Sequence, residues 1–512
     1  MKDKQSQSSA ASSAGVTLAA GGTVAARHSW KTSESVPAER LTGRGSQPAI
    51  YSRPKSFRKR DEGAPSERRL TAEDWLRRGL LVYLIFAAMA YLPEALNDIV
   101  NARISYAKFA LGEPIFGPSV RYVKDILMVA LLGLFFWMDV QKQERYRLAA
   151  HYLPILLLLL YGTSVLAFRE AGINVYQVAA GGRSLLLVLF CIKAVGYIRG
   201  QKEFIRSIAS CLGWLILIEF IVLGIQYALF TGRFGVVNPF SLRLIGTFGG
   251  ISIAGYMALG SSMFLYAARS LLGQTQRRLG PVLQLLCLGI AGMSGTRSAI
   301  IGCFLIVFFL VVEAVFSGRK RPGSVYLTPA IVCFSILALM GGVQAATLMA
   351  DRGSIVEAQV QGGRIDMLTG FFTNNSLSVV LFGDGIGYGT NSGVNLNKQM
   401  DVQLDHQIMD GTFNSILTQF GLVTLAALIA AVIISAPGLI RSMQGKSIQL
   451  YVFIIVNLVL CISTNILEQF VYLFLLAACW AVLTDEKSAP STVQSAMPEP
   501  EWSPQRFHFQ RR

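Results

Sequence analysis

The residues best suited to chemistry are concentrated in one polar interval, 345–414, set between apolar stretches of the C-terminal half. It holds Arg352, Arg364, Asp366, Asp384, His406 and Asp410, with alternate glycines at Gly383, Gly385, Gly387 and Gly389. Further arginines stand at the ends of apolar spans. Arg183 lies in GGRSLLL, Arg233 and Arg243 in TGRFGVVNPFSLRLIGTF, and Arg297 in SGTRSA. A guanidinium stays charged and can grip a phosphate through two parallel hydrogen bonds. Together such residues can hold a diphosphate; singly, each can instead pair with a carboxylate or reach a lipid headgroup. Asp410, in Asp410-Gly411-Thr412, reads as a base or as a helix N-cap. His406 reads as a base or as an exposed loop histidine.

Two other features lead elsewhere. The run GDGIGYG has no strand before it and no Lys-Ser/Thr after it, so it predicts close turns rather than a nucleotide loop. Glu219 is a carboxylate near the middle of an apolar span, where acids are functional candidates by default. Lys193 or Arg183 on the preceding span is its expected partner.

The elements that must position these residues are set by composition. Of 512 residues, 53% are hydrophobic and 15% charged, against about 25% charged in a soluble domain. Mean hydropathy is +0.48. The net charge of +16 does not gather into one patch. Basic residues recur in the links between apolar spans, which the positive-inside rule explains and nucleic-acid binding does not. Cys191, Cys211, Cys287, Cys303, Cys333, Cys461 and Cys479 all lie inside apolar spans without CxxC spacing. That argues against a disulfide framework and a zinc site; no metal or cofactor is expected.

Residues 1–70 are rich in Ser, Ala, Gly and Arg and lack the apolar core of a signal peptide. They read as a disordered basic tail. Its run RPKSFRKR (53–60) reads either as a topology signal or as a contact with anionic lipid. From 71 to 484 the chain reads as an all-α, polytopic transmembrane bundle of about 12 helices. The spans fall at 79–96, 123–139, 151–168, 181–198, 208–230, 247–269, 279–294, 297–316, 324–345, 413–438, 449–464 and 467–483. Short basic links follow the even-numbered spans, at 141–147, 199–206, 269–278, 317–323 and 441–446. With those links inside, both termini are cytoplasmic, and 346–412 forms one large periplasmic loop. A second polar tail follows at 485–512. No paired Gly/Pro interruption of the kind found in secondary transporters stands out.

Five short motifs, in order, resemble the O-antigen polymerase and ligase family of bacterial surface-polysaccharide assembly. They are RLIGTF (243–248), SGTRSA (294–299), GRIDML (363–368), FGDGIGYG (382–389) and DGTFNSILTQFGLV (410–423). The resemblance spans 183–423 and implies an integral membrane glycosyltransferase of the bacterial cytoplasmic membrane, active at its periplasmic face. Its donor would be an undecaprenyl-diphosphate-linked oligosaccharide, used without nucleotide sugar or metal. A flippase and a chain-length regulator would be further partners. Ligases of the family commonly carry a His directly before the Asn of the last motif; here Phe413 precedes Asn414. That points to a polymerase of surface polysaccharide or exopolysaccharide, with ligase as the alternative.

In this reading Arg183, Arg243, Arg297 and Arg364 bind the diphosphate, and Arg364 also stabilises its departure. Asp410 or His406 takes the proton of the attacking sugar hydroxyl, with Asp366 and Asp384 behind them. A reading from another class is a flippase or transporter of lipid-linked oligosaccharide. That function should place charges at mid-membrane depth, where the sequence offers little beyond Glu219.

Overall fold

The structure is a computed structural model. It describes residues 71–101, 119–142, 145–169, 175–234, 244, 246–248, 253–316, 364–390, 411–443 and 448–485. The expected span 324–345 and both tails lie outside these residues. Among the described residues the fold is helical throughout, with no strand.

Fourteen α-helices are described, in chain order: α1 (Ala72–Met89), α2 (Leu92–Asn101), α3 (Ser119–Gln141), α4 (Arg145–Arg169), α5 (Val175–Ile198), α6 (Lys202–Phe234), α7 (Ile253–Ala267), α8 (Gln274–Met293), α9 (Arg297–Phe316), α10 (Arg364–Asn374), α11 (Leu377–Phe382), α12 (Thr412–Met443), α13 (Ile448–Ser463) and α14 (Phe470–Leu483). Short 3-10 turns occur at Gly246–Phe248, Ala268–Ser270 and Ile466–Glu468. The first helix starts at a capping box. Thr71 Oγ1 accepts from Asp74 N at 3.2 Å, and Thr71 N donates to Asp74 Oδ2 at 3.1 Å. The Thr71 hydroxyl also donates to Asp74 Oδ2 at 2.8 Å, and this bond, followed by the one from Thr71 N, holds the Asp74 carboxyl below its ordinary range.

Four segments among the described residues are long and apolar enough to cross a membrane: Ala150–Arg169, Val175–Ile198, Lys202–Leu229 and Thr412–Ser435. Arg297–Val312, Ile448–Cys461 and Phe470–Leu483 are apolar but shorter. The difference from twelve uniform spans has local causes. The span expected at 79–96 is two helices, interrupted at Ala90–Tyr91. Helix α3 carries Lys124 and Asp125 in its first two turns, and α8 carries Arg277 and Arg278. In α7, helix begins only at Ile253, because the chain before it forms the Gly246–Phe248 turn.

Helix α7 is the centre of the bundle, buried from Ala254 to Ala267. It packs against α8, α9 and α14, and α14 packs on α5. Glycine permits the close approaches: a Cβ on Gly260 would lie 3.1 Å from Leu475 and Tyr472, and one on Gly302 would lie 2.7 Å from Leu259. Tyr83, Phe190 and Phe474 form a buried aromatic cluster between α1, α5 and α14, with ring centroids 4.8–6.0 Å apart.

The basic links 199–206 and 269–278 meet at one end of the bundle. Arg206 Nε donates to Leu271 O at 3.0 Å, Gln276 Nε2 to Arg206 O at 2.9 Å, and Arg199 Nη2 to Thr484 Oγ1 at 2.8 Å. The start of α1 joins them, with Tyr197 donating to Glu73 O at 3.0 Å. Helix α5 runs between this end, at Tyr197, and Arg183, which meets Asp125 of α3 and Phe470 at the start of α14.

Helix α12 is interrupted at Gly421, whose φ of 75° and ψ of 176° are non-helical. The break frees carbonyls that would otherwise bond within the helix. Asp384 N donates to Thr418 O at 2.8 Å and Gly385 N to Gln419 O at 3.2 Å, so the glycine run satisfies them. The same run reaches α4 through Ile386 N to Gly162 O at 3.0 Å.

Candidate functional site

Arg297 is placed by the corner between α8 and α9. Ser294 ends α8, and Gly295 turns the chain with φ 63°. Ser294 Oγ donates to Ala291 O at 2.8 Å and accepts from Thr296 N at 3.4 Å. Helix α7 presses on the corner, where a Cβ on Gly255 would lie 2.6 Å from Ser294 Oγ. Next to Arg297 in α9, Ser298 Oγ pairs with Tyr256 OH at 3.0 Å. Arg297 therefore opens α9 from a fixed corner. It is half-buried and has neither a hydrogen bond nor an ion pair among the described residues. A cation at a helix N-terminus adds its charge to the helix dipole, which favours an anion.

The start of RLIGTF is joined to that corner by Leu244 N, which donates to Met293 O at 3.3 Å. Its Thr247 is held by Glu219: Oε2 accepts from Thr247 N at 3.0 Å and from Thr247 Oγ1 at 2.6 Å. Glu219 thus takes neither expected partner. Lys193 bonds Asp139 at 2.5 Å and His151 Nδ1 at 2.9 Å near the basic-link end, too far along α5 to serve Glu219. Arg183 faces α3, where Nε donates to Asp125 Oδ1 at 2.9 Å.

The Arg183 guanidinium also lies 3.9 Å over the Phe470 ring. Lys124 approaches the same ring at 5.3 Å and Tyr91 at 5.9 Å. Two cations thus share one aromatic ring, with Asp125 as the neighbouring carboxylate.

The remaining motifs meet at α12. Phe371 of α10, Val379 and Val380 of α11 and Leu417 of α12 form one apolar cluster. Gly387 N donates to Gln419 Oε1 at 2.9 Å, and Gln419 Nε2 to Ser415 Oγ at 2.9 Å. Ser415 Oγ accepts from Asn465 Nδ2 at 3.1 Å, while Thr412 Oγ1 donates to Thr464 O at 2.9 Å and accepts from Ile466 N at 3.1 Å. The start of α12 is therefore bound to the turn that precedes Phe470. The glycines Gly383, Gly385, Gly387 and Gly389 all have positive φ, between 66° and 104°, so the run is a series of close turns.

Arg364 and Asp366 occupy the first turn of α10; their side chains lie outside the described residues, as do Arg243, Arg352, His406 and Asp410. Helix α12 starts at Thr412, so Gly411, with φ 107°, stands in the position before its first turn, one residue beyond Asp410. Asp384 is half-buried at the docked glycine run; burial raises its carboxyl above the ordinary range, opposed by the charge of Arg169. Arg169 Nη2 donates to Ser378 Oγ at 3.3 Å and Gly383 O at 3.4 Å. Arg169 and Lys124 are additions to the sequence-based set. Both are basic residues at the end opposite the basic links, the signal that singled out the other arginines. Among the described residues no group of acidic, His and Cys side chains could hold a metal ion.

Comparison with known proteins finds no matching family model, no matching curated protein and no matching solved structure.

Proposed function

We propose that this protein is a membrane glycosyltransferase that polymerises undecaprenyl-diphosphate-linked oligosaccharides into a surface polysaccharide or exopolysaccharide. The observation that carries the reading is the shared end of the bundle. All five motifs of the family resemblance are tied there, away from the basic links, with Arg297 opening α9 and lacking a protein partner among the described residues. Chain crossings, sidedness and location follow the sequence reading: about 12 spans in the bacterial cytoplasmic membrane, termini inside, the site at the periplasmic face.

The chemistry asked of the site is one displacement. A sugar hydroxyl forms a bond to the anomeric carbon as the bond to the diphosphate oxygen breaks. The hydroxyl proton passes to Asp410, His406 or Asp384. Charge develops on the departing diphosphate, and arginines held in a water-poor setting stabilise it. Arg297 and Arg364 are the residues assigned to that charge. Arg183, bound to Asp125 and stacked on Phe470, borders the site with Lys124.

The test is polymer yield, with membrane protein quantified beside it, for the wild type and Arg297→Lys. Lysine keeps the charge but not the fork, so polymer should fall at constant protein. Normal polymer from Arg297→Lys removes the diphosphate role. Phe413 before Asn414 directs the reading to polymerase; transfer of finished polymer to a lipid acceptor in the same cells would assign ligase instead.

A flippase has one observation in its favour. The chain is interrupted at Ala90–Tyr91 and at Gly421, and broken helices line the sites of secondary transporters. Translocation of a labelled lipid-linked oligosaccharide by proteoliposomes, without elongation, would decide for it.

A further inference from the structure

We propose that Glu219 is a positioning residue for this site: it clasps the Gly246-Thr247 turn and through it sets the corner from which Arg297 projects. The proposal rests on the glycosyltransferase reading for its activity readout, and on geometry for its mechanism. Glu219 is 1% exposed on α6, inside the segment Lys202–Leu229 that is apolar enough to cross a membrane. A carboxylate is costly there. Its Oε2 takes both donors of Thr247, the backbone N–H and the hydroxyl. Two turns along the same face of α6, Gln226 Oε1 accepts from Gly246 N at 3.1 Å. Position 246 admits only glycine, since φ is 60° and a Cβ would lie 1.8 Å from Glu219 Oε1.

The clasped turn is a junction between elements. Thr247 O accepts from Tyr91 N at 3.1 Å, and Thr247 Oγ1 lies 3.0 Å from Ala88 O, so the turn fills the interruption between α1 and α2. Three residues earlier, Leu244 N holds Met293 O at the end of α8. Arg297 follows Met293 by four residues, and Arg243 directly precedes Leu244 in the chain. One buried carboxylate thus fixes the backbone that leads to two of the arginines assigned to the diphosphate. It touches no substrate; it acts through Thr247.

The acceptor, rather than the charge, is what this role needs. In Glu219→Gln the amide oxygen can stand where Oε2 stands and accept both Thr247 donors. Glu219→Leu removes them, and Thr247→Val removes the hydroxyl while Thr247→Ser keeps it. A displacement of a catalytic group by an ångström can cost about a hundredfold in rate. With the full chain in membranes, polymer formed at saturating donor should fall by roughly that factor in Glu219→Leu, more than any fall in protein level. Glu219→Gln and Thr247→Ser should stay near wild type. A second readout is independent of activity. A cysteine introduced by Arg297→Cys, labelled by a water-soluble maleimide over the native-cysteine background, should change its labelling rate when Glu219→Leu is added and not when Glu219→Gln is. Three results overturn the proposal: normal polymer from Glu219→Leu, equal loss in Glu219→Gln and Glu219→Leu, or an unchanged labelling rate in both. A wild-type chain that forms no polymer counts against the glycosyltransferase reading instead, and the labelling rates still judge the clasp.

Discussion

At the scale of single residues, the arginines divide into two kinds. Arg297 has no carboxylate beside it among the described residues, whereas Arg183 is bonded to Asp125 and stacked on Phe470. Losing one preorganised contact to a developing charge costs about 2.7–4 kcal/mol, roughly a hundredfold to a thousandfold in rate. Arg297→Ala and Arg297→Lys should both lose polymer to that extent while membrane protein stays constant. Arg183→Ala should lower the amount of protein, because it leaves Asp125 without its partner. Quantitative immunoblots beside polymer yield separate the two behaviours, and a fall in protein for Arg297→Lys would contradict the division. Asp384 gives a pH prediction. Burial raises its carboxyl above the ordinary range against the opposing pull of Arg169. The folded chain therefore holds that proton more tightly than the unfolded chain does. Its contribution to stability is full below the ordinary carboxylate value and declines as pH rises through the raised one. Asp384→Asn should flatten that decline, seen as a smaller difference in melting temperature between acidic and neutral detergent solutions. These distinctions were only half legible in the sequence. Residue type identified cations able to bind a diphosphate, but Asp125 is 58 positions from Arg183, and only packing shows that they meet.

At the scale of elements, the glycines behave as two sets that composition does not separate. The run from Gly383 to Gly389 was legible as turns because alternate glycines suit neither helix nor strand. Gly421 was not, since QFGLV continues an apolar stretch with nothing to mark a break. Its reason is tertiary: Leu381 O would lie 2.3 Å from a Cβ at Gly421, and Gln177 O 2.2 Å from one at Gly387. Both positions also have φ above 70°. Gly421→Ala or Gly387→Ala should therefore undock the segment from α12 and α5, with backbone strain alone worth about 1–3 kcal/mol. Limited proteolysis of purified protein should show new cleavage within 383–390. Gly224→Ala is the control: it is helical, has nothing within 4 Å of a new Cβ, and should be tolerated or slightly stabilising. Resistance of Gly421→Ala to protease would remove the idea that the break exists to receive the glycine run. Glu219 follows the same logic. Its isolation within an apolar span marked it as functional, but its partner lies in a turn 28 residues away rather than on the preceding span.

At the scale of the whole molecule, hydropathy located the helices well and their depth poorly. Described helices fall on all the expected spans except 324–345, which is outside the described residues, yet among the described residues four segments alone combine the length and apolarity to cross unaided. Others are charged or shortened locally, by Lys124 and Asp125 in α3, by Arg277 and Arg278 in α8 and by the Gly246–Phe248 turn before α7. Such helices are stabilised by neighbours more than by lipid, which is why α7 is buried almost throughout. The positive charge is therefore the better guide to sidedness. Basic links 199–206 and 269–278 meet the start of α1 and Thr484 at one end, and the motif-bearing turns occupy the other. If the basic end faces the cytoplasm, the glycine run ending at Thr390 and the start of α12 at Thr412, which flank position 395 in the chain, lie across the membrane from Thr484. A phosphatase active only in the periplasm, fused after Asn395, should be active, and the same enzyme fused after Thr484 should be silent. A fluorescent reporter that matures only in the cytoplasm should give the reverse pattern. Phosphatase activity at Thr484 with none at Asn395 would invert the protein in the membrane. Arg297 and the glycine run would then face the cytoplasm, where a lipid-linked donor is assembled rather than polymerised, and the proposed reaction would lose its compartment.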